Sequence, residues 1–379
     1  KAQRDFFAEM KKIGADLLAE LEKNPDKIGV VLFGRPYNAF TEKANLGIPR
    51  KFTSRGIEIF PYDILNFEEE TFEPFMHWGM GETILKAVQI VKRHPQLFGT
   101  FITNFSCGPD SFMVELFREE LEGKPSLTLE LDSHSADAGV NTRIEAFLDV
   151  VKYYRELQKN NKLEEKEVDN FKPAWIEGDG FKAKIHLSDG KTVISAKSDK
   201  YTFMFPSLSR YVMGPANEYL NKIGIKGRLV PPTTMESIKL GRSQSSSKEC
   251  LPLAIMMGNM MTYIRDHHEK GEPLVLLHAT DTSPCRLEQY YNGFNSFIKR
   301  NKIENFAVFR LDDRKGYAGF GTGLLLTLFK SFVLGDVFET IKNAIIVLAE
   351  DKEYGLKVME EEFTKITENF GGREKMSLN

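Results

Sequence analysis

Two kinds of pattern alternate along the first 150 residues. Residues 2–23 place apolar side chains at helical spacing, which predicts an amphipathic helix that ends at Asn24-Pro25. Short continuous apolar runs follow, and such runs are typical of strands buried on both faces of a parallel sheet. Strands are predicted at 28–33, 57–60, 99–103 and 126–131, and helices at 77–93, 111–121 and 142–157. This alternation predicts an α/β domain with a mostly parallel sheet.

The second half of the chain repeats the plan. Strands are predicted at 201–205, 274–277 and 306–309, and helices at 251–265, 286–300 and 323–335, the last as a buried helix because it is the densest apolar stretch. Landmarks recur in the same order, since the run that ends at Cys107 parallels the run that ends at Cys285. We therefore predict an internal duplication of one α/β domain. The alternative, that any two α/β domains share such landmarks, remains open at this point.

The segment between the two halves differs in character. It is highly charged and then alternates polar and apolar residues around Asp189-Gly190, a signal for a β-hairpin. The predicted division is an N-terminal helix or linker (1–25), a first α/β domain (26–150), a charged helix and β-hairpin insertion (151–200), a second α/β domain (201–349), and a C-terminal helix and tail (350–379).

Composition and charge narrow the function classes. The net charge of −3 over 379 residues gives no reason to expect nucleic acid or an anionic membrane as partner. No apolar run approaches the length of about 20 residues that a bilayer requires. Three cysteines are an odd number and lie far apart, which argues against a disulfide framework and favours a reducing cytoplasm. Because the chain begins with Lys1, we expect it to be a piece of a longer protein.

The three cysteines share a setting. Cys107, Cys250 and Cys285 each stand immediately before a predicted helix, where unpaired backbone N–H groups favour the thiolate form that binds metal. Three thiolates can hold a four-iron cluster that leaves one iron free, although the close spacing typical of zinc and ferredoxin sites is absent. Two alternatives remain: small buried hydrophobic residues, or a nucleophilic cysteine assisted by His134 or His278.

Several blocks of sequence carry a resemblance to a known family. They are Leu32-Phe-Gly-Arg-Pro-Tyr-Asn38, Thr103-Asn-Phe-Ser-Cys-Gly-Pro-Asp-Ser-Phe112, the Asp132-Ser-His-Ser-Ala-Asp-Ala-Gly139 region, Glu249-Cys250-Leu-Pro and Ser283-Pro-Cys285. In these blocks the chain resembles the 2-hydroxyacyl-CoA dehydratase component family, its acyl-CoA dehydratase activase-related relatives and the double-cubane cluster proteins. The resemblance extends over nearly the whole chain.

The resemblance implies that the two duplicated α/β domains are Rossmann-like, and it implies a cofactor and partners. It implies a [4Fe–4S] cluster in a cleft between the two domains, held by Cys107, Cys250 and Cys285. It also implies an ATP-dependent activator domain or subunit with its own iron–sulfur cluster, and a small-molecule or acyl-CoA substrate. The chain has no phosphate-binding Gly-x-x-x-x-Gly-Lys-Ser/Thr motif, so the ATPase would lie elsewhere. A linked double cluster would need more thiolates than three, and a dimer remains open.

Other polar residues are candidates for roles near the cluster. Arg35 and Tyr37 follow the first strand and would orient an anionic substrate or the activator; the alternative is a turn with a salt-bridged arginine. The resemblance suggests that Asp132, His134 and Asp137 form hydrogen bonds to cluster or substrate. For Asp137 the alternative is a cap on the helix predicted to begin near Thr142.

These observations lead to three function hypotheses. The first is an iron–sulfur enzyme that passes low-potential electrons to a substrate, with Arg35, Tyr37 and His134 as candidate catalytic residues. The second is a non-catalytic module of a larger activator protein, in which the cluster relays electrons or stabilises the domains. The third is a binding domain without a cluster, whose cysteines are structural.

Overall fold

The computed structural model describes most of the chain: residues 1–72, 74–160, 162, 170–206, 208–246, 248–269, 271–280, 285–312 and 321–370. The chain divides into two compact units, residues 1–168 and residues 169–379. Each unit contains one four-stranded sheet, and the second unit also carries a small three-stranded sheet.

The first unit is built on a parallel sheet. Its strands are β1 (Gly29–Phe33), β2 (Glu58–Pro61), β3 (Leu97–Asn104) and β4 (Ser126–Leu131), in the order β2-β1-β3-β4. All neighbours are parallel. The helices are α1 (Ala2–Glu22), α2 (Pro36–Ala39), α3 (Ile48–Thr53), α4 (Gly79–Arg93), α5 (Asp110–Glu120) and α6 (Asp137–Lys159). The four predicted strands are confirmed.

Helices cover both faces of this sheet. Successive residues of a strand point to opposite faces, so Val31 and Phe33 join a core with α1, α4 and α5, whereas Val30 and Leu32 join a second core with α3 and α6. Burial on both faces explains why β1 is apolar throughout rather than alternating.

The predicted hairpin is confirmed and has a third strand. β5 (Trp175–Glu177), β6 (Lys184–His186) and β7 (Val193–Ser195) form an antiparallel ribbon. At the turn, the Asp189 carboxylate accepts hydrogen bonds from the Thr192 hydroxyl at 2.6 Å and from the N–H groups of Thr192 and Lys191 at 2.8 Å each. These hydrogen bonds lower the pKa of Asp189 to about 2. Ile185 anchors the ribbon in the core of the second unit.

The second unit repeats the strand order of the first. Its main sheet contains β8 (Thr202–Phe205), β9 (Gly227–Leu229), β10 (Leu274–Thr280) and β11 (Phe306–Asp312), in the order β9-β8-β10-β11 and parallel throughout. Strand for strand, this order equals β2-β1-β3-β4. The two Rossmann-like units therefore have the duplicated architecture that the sequence predicts, with β10 in the position of β3.

Two helices of the second unit, at residues 210–222 and 235–243, are not predicted by the sequence analysis. This unit contains the helices α7 (Arg210–Lys222), α8 (Met235–Ser243), α9 (Leu251–His267) and α10 (Tyr290–Arg300), the last preceded by a 3-10 turn at Arg286–Gln289. Pro215 lies inside α7 and obscures its helical pattern. α8 begins with a capping box, in which Thr234 and Ser237 each accept a backbone N–H of the other.

The helix predicted at 323–335 is confirmed, but it is longer than predicted and only partly buried. α11 (Gly321–Leu348) has 28 residues and is followed by α12 (Lys352–Asn369). One side of α11 packs on α7 and α12 through Phe338, but its other side is exposed, with Leu326 at 58% and Phe329 at 68% of their full exposure. The dense apolar stretch indicated that the helix is buried, but only one side of it packs against other helices. Among the described residues, no helix is long and apolar enough to cross a bilayer.

Candidate functional site

The loop after β3 presents Cys107 in a strained backbone. Phe105 and Ser106 have φ angles of 57° and 50°, and Gly108 follows with 62°. Positive φ is costly for residues with a Cβ and is found where the surrounding structure enforces it, often at functional sites. Within this loop the Ser106 side chain is buried, whereas the next residue, Cys107, is exposed. The loop therefore turns its thiol outward at the start of α5.

An ion pair between Arg35 and Asp110 holds this loop in place. Arg35, which follows β1, places Nε 3.1 Å from Oδ1 of Asp110, and its Nη2 donates to Oδ2 at 3.1 Å. The same Nη2 donates to the backbone carbonyl of Cys107 at 3.2 Å. The Thr103 hydroxyl adds a 2.6 Å hydrogen bond to Asp110. Arg35 thus joins the loops after β1 and β3, in agreement with the salt-bridged alternative in the sequence analysis.

Asp110 is almost completely buried, with 1% of its surface exposed. Burial raises the pKa of Asp110 above its ordinary value, while Thr103 and Arg35 act in the opposite direction. A buried carboxylate needs such partners, because an unpaired charge in the interior is costly. The neighbouring Tyr37 is more than half exposed, and its ring lies 5.1 Å from the Arg35 guanidinium carbon. Tyr37 is therefore accessible to a ligand, whereas Arg35 is held by protein groups.

The polar loop after β4 is organised by its own residues. Asp132 Oδ1 accepts hydrogen bonds from the His134 N–H at 2.8 Å and from the Ser135 hydroxyl at 2.9 Å. These hydrogen bonds, that of Ser135 first, lower the pKa of Asp132. The His134 side chain is exposed. The arrangement presents the imidazole to solvent on an ordered turn.

The structure corrects the expected start of the helix that follows. α6 begins at Asp137, five residues before Thr142, and its N-cap is Ala136, which offers no side-chain cap. The Asp137 carboxylate instead accepts a hydrogen bond from Lys51 Nζ at 2.5 Å. The interpretation of Asp137 as a cap is therefore wrong, and Asp137 joins α6 to α3.

The other two cysteines lie in the second unit, each at the start of a helical segment. Cys250 is the N-cap of α9, and Cys285 is the N-cap of the 3-10 turn that leads into α10. Cys285 Sγ accepts the Leu287 N–H at 3.5 Å. Cys285 follows β10 as Cys107 follows β3, so the two occupy equivalent loops of the duplicated units. Cys285 is exposed and Cys250 half-buried, which contradicts the interpretation of the cysteines as buried hydrophobic residues.

Tyr290 lies beside both of these sulfurs. Its hydroxyl donates a hydrogen bond to Cys250, and the ring is buried. Burial raises the pKa of Tyr290, and so do this hydrogen bond and the electrostatic interactions of Tyr290 with Cys250 and Cys285. The first residue of α10 therefore connects the starts of two helical segments that are far apart in sequence.

His278 of β10 supports Tyr290 from the side of the core. The two rings stack with centroids 6.0 Å apart, and His278 Nε2 lies 3.0 Å from the Leu287 carbonyl oxygen. Because a carbonyl only accepts, this nitrogen carries the proton, and Nε2 does not act as a base toward a cysteine. Burial lowers the pKa of His278 to about 4.

Two glycines fix the position of α9, the helix that Cys250 begins. A Cβ on Gly258 would lie 1.7 Å from the Ser237 carbonyl oxygen, and a Cβ on Gly241 would lie 1.6 Å from that of Ala254. The backbones of α8 and α9 therefore touch at a crossing that admits no side chain. This contact holds α9 against α8.

The donor chemistry of these residues fits an iron–sulfur cluster in kind. Clusters are held by cysteine thiolates, and hydrogen bonds to their sulfurs tune them. Two cysteines here receive such hydrogen bonds and none is sealed in a core. Within the described parts of the chain, no three His, Cys, Asp or Glu side chains form a metal-binding group. In the second unit, two cysteines, Cys250 and Cys285, lie beside Tyr290.

Sequence reasoning missed Asp110, Thr103 and the role of Tyr290. A sequence signal existed for Asp110, because it stands three residues after Cys107 at the start of a predicted helix. No local pattern marks Tyr290, since its partner Cys250 is 40 residues away and belongs to another helix.

Comparison with known proteins gives one match. A family model described as "CoA enzyme activase uncharacterised domain" matches residues 1–65, which run from α1 to just beyond the 3-10 turn at Tyr62–Ile64. The span contains Arg35 and Tyr37 but none of the cysteines. No curated protein and no solved structure matches the chain. The match supports a relation to activase- and dehydratase-related proteins at a coarse level.

Proposed function

We propose that Cys107, Cys250 and Cys285 hold one [4Fe–4S] cluster and that the protein passes low-potential electrons to a small-molecule or acyl-CoA substrate. The electrons would come from an ATP-dependent activator domain or subunit with its own iron–sulfur cluster. The observation that carries the proposal is the Cys250–Cys285 pair, in which each sulfur accepts a hydrogen bond at the start of a helical segment.

The remaining support comes from the first unit and from the family match. Cys107 is exposed on a loop equivalent to that of Cys285, and Arg35 and Asp110 hold this loop. The matched family is described by its relation to CoA enzyme activases. The cluster supplies one-electron chemistry, and three cysteine ligands leave one iron open to substrate. The exposed Tyr37 and His134 are the side chains that we propose to contact that substrate.

Anaerobic reconstitution tests the cluster. The reconstituted protein should contain about four irons and as much acid-labile sulfide. Cys107→Ser, Cys250→Ser and Cys285→Ser should each reduce the iron content and change the visible absorbance. Ser106→Ala, beside Cys107, serves as a control that leaves every thiol in place. Protein that stays free of iron after reconstitution would refute the proposal.

A second candidate is an electron-relaying module of a larger activator protein. The match of residues 1–65 to an activase-related domain favours it, because that name refers to the activating rather than the substrate-binding partner. The EPR spectrum of the reduced cluster separates the candidates. A change on addition of cyanide or a 2-hydroxyacyl-CoA thioester would favour an open iron and catalysis, whereas an unchanged spectrum with both would favour the module.

A further inference from the structure

The outward side of α11 carries a continuous apolar surface. Leu326, Phe329, Val333, Val337 and Ile341 follow one another at spacings of three or four residues, which places them on one side of the helix. Each is between 40% and 68% exposed. We call these five side chains the outer stripe. A surface helix that contacts only its own fold carries polar residues on its outward side.

The side of α11 that faces the fold is built differently. Thr327, Ser331 and Gly335 recur every four residues, and Thr327 and Ser331 are buried. Their hydroxyls donate hydrogen bonds of 2.7 Å to carbonyl oxygens one turn earlier in the same helix. A Cβ on Gly335 would lie 2.3 Å from Cγ2 of Val212, so α11 and α7 approach each other closely there. Small residues therefore form this close contact with the fold, whereas the bulky apolar side chains of the outer stripe point outward.

The exposed apolar area of α11 is large enough for a stable interface. Among the described residues of this helix, nine large apolar side chains are between 40% and 79% exposed. A large side chain has roughly 150–250 Å² of surface when it is aromatic and somewhat less when it is aliphatic, so the nine together offer on the order of 800 Å². Each partner of a typical specific complex contributes about 800 Å², whereas the largest apolar patch of a monomer is usually about 300–600 Å².

The charges on α11 favour a second copy of this chain as the occupant. Among the described residues of the helix, the exposed charged ones are Lys330 and Asp336, so two identical surfaces meet without a surplus of like charge. A helix that lies on an anionic membrane is instead rich in Lys and Arg on its polar face. We propose that two copies associate through their outer stripes as a symmetric dimer, in which each stripe contacts its counterpart. This interface lies outside the cysteine sites and does not depend on the proposed function.

Analytical ultracentrifugation of the purified chain tests the dimer, in a reducing buffer that prevents the exposed cysteines from linking copies. The wild type should sediment with the mass of two chains at micromolar concentrations. Phe329→Glu should raise the dissociation constant of the dimer at least about 30-fold, because a charge replaces an apolar contact in both copies. Val150→Glu is the matched control, since Val150 is a 55% exposed apolar residue of α6, and it should leave the constant unchanged. A wild type that stays monomeric at hundred-micromolar concentrations, or a Phe329→Glu dimer as tight as the wild type, would overturn the proposal.

Hydrogen exchange of the backbone amides locates the interface. Exchange within residues 326–348 should slow as the concentration of the wild type rises and should not depend on concentration in Phe329→Glu. Protection confined to another element would overturn the assignment to α11, and so would a monomer that binds phosphatidylserine vesicles through this helix. Circular dichroism checks that Phe329→Glu is folded. Val337→Lys, at another position of the outer stripe, should weaken the dimer in the same way and tests the same surface independently.

Discussion

Arg35 and Asp110, 75 residues apart in the chain, lie with Nε 3.1 Å from Oδ1. The contact joins the loop after β1 to the start of α5, and Arg35 also binds the carbonyl of Cys107. A charge that loses its partner in a buried site destabilises a protein by several kcal/mol. The pair is therefore the main restraint that we identify on the Cys107 loop.

The first prediction concerns this pair. Asp110→Asn should lower the free energy of unfolding by about 2 kcal/mol, less than for a fully buried pair because the Arg35 side chain is 19% exposed. Glu58→Gln is the control, because its ion pair with Lys27 is exposed and should contribute within about 0.5 kcal/mol. Urea unfolding followed by circular dichroism measures both. A loss in Asp110→Asn no larger than in the control would contradict the restraint.

The second prediction concerns pH. The pKa of His278 is about 4 in the folded protein and about 6.5 in the unfolded chain, so the unfolded state binds more protons between these values. Stability should therefore fall as the pH decreases, by about 2 kcal/mol from pH 7 to pH 5. His278→Gln should lose most of this dependence in urea unfolding at the two pH values. Equal slopes in wild type and variant would refute the assignment.

The third prediction concerns the helix crossing. Gly258→Ala should destabilise the protein by about 2 kcal/mol, because the new methyl group would overlap the Ser237 carbonyl and force α8 from α9. Gly139→Ala in α6 has nothing within 4 Å and should be neutral or stabilising by up to about 1 kcal/mol. Thermal unfolding compares them. Similar melting temperatures for the two variants would show that the crossing yields easily.

The fourth prediction concerns strain beside Cys107. Gly108 has a φ of +62°, and a Cβ there would meet only Arg35 Nη1 at 3.9 Å. Gly108→Ala should therefore cost about 1 kcal/mol through backbone conformation and not through a clash. Gly79→Ala in α4 lacks both positive φ and close neighbours and is the control. A Gly108→Ala variant as stable as this control would mean that the loop relaxes freely.

The strands could be predicted from the sequence because burial on both faces produces a short continuous apolar run, as in Val30–Leu32. The length and partial burial of α11 could not be predicted, since an apolar composition does not say which side of a helix finds a partner. The sequence placed all three cysteines beside helix starts, and Pro109 and Pro252 mark two of these starts, those after Cys107 and Cys250. The partners of Asp110 and Tyr290 could not be predicted, because a fold and not a local pattern brings distant residues into contact.

The equal strand orders of the two units also have an evolutionary consequence. If both descend from one ancestral domain, a symmetric pair of ancestors would have carried one sulfur per copy, at the positions of Cys107 and Cys285. The helix ahead of β3 begins after Trp78, whereas its counterpart begins after Cys250. The third sulfur, that of Cys250, belongs to the second unit alone, so the two units are no longer interchangeable. A protein rebuilt from two copies of the first unit would lack this sulfur.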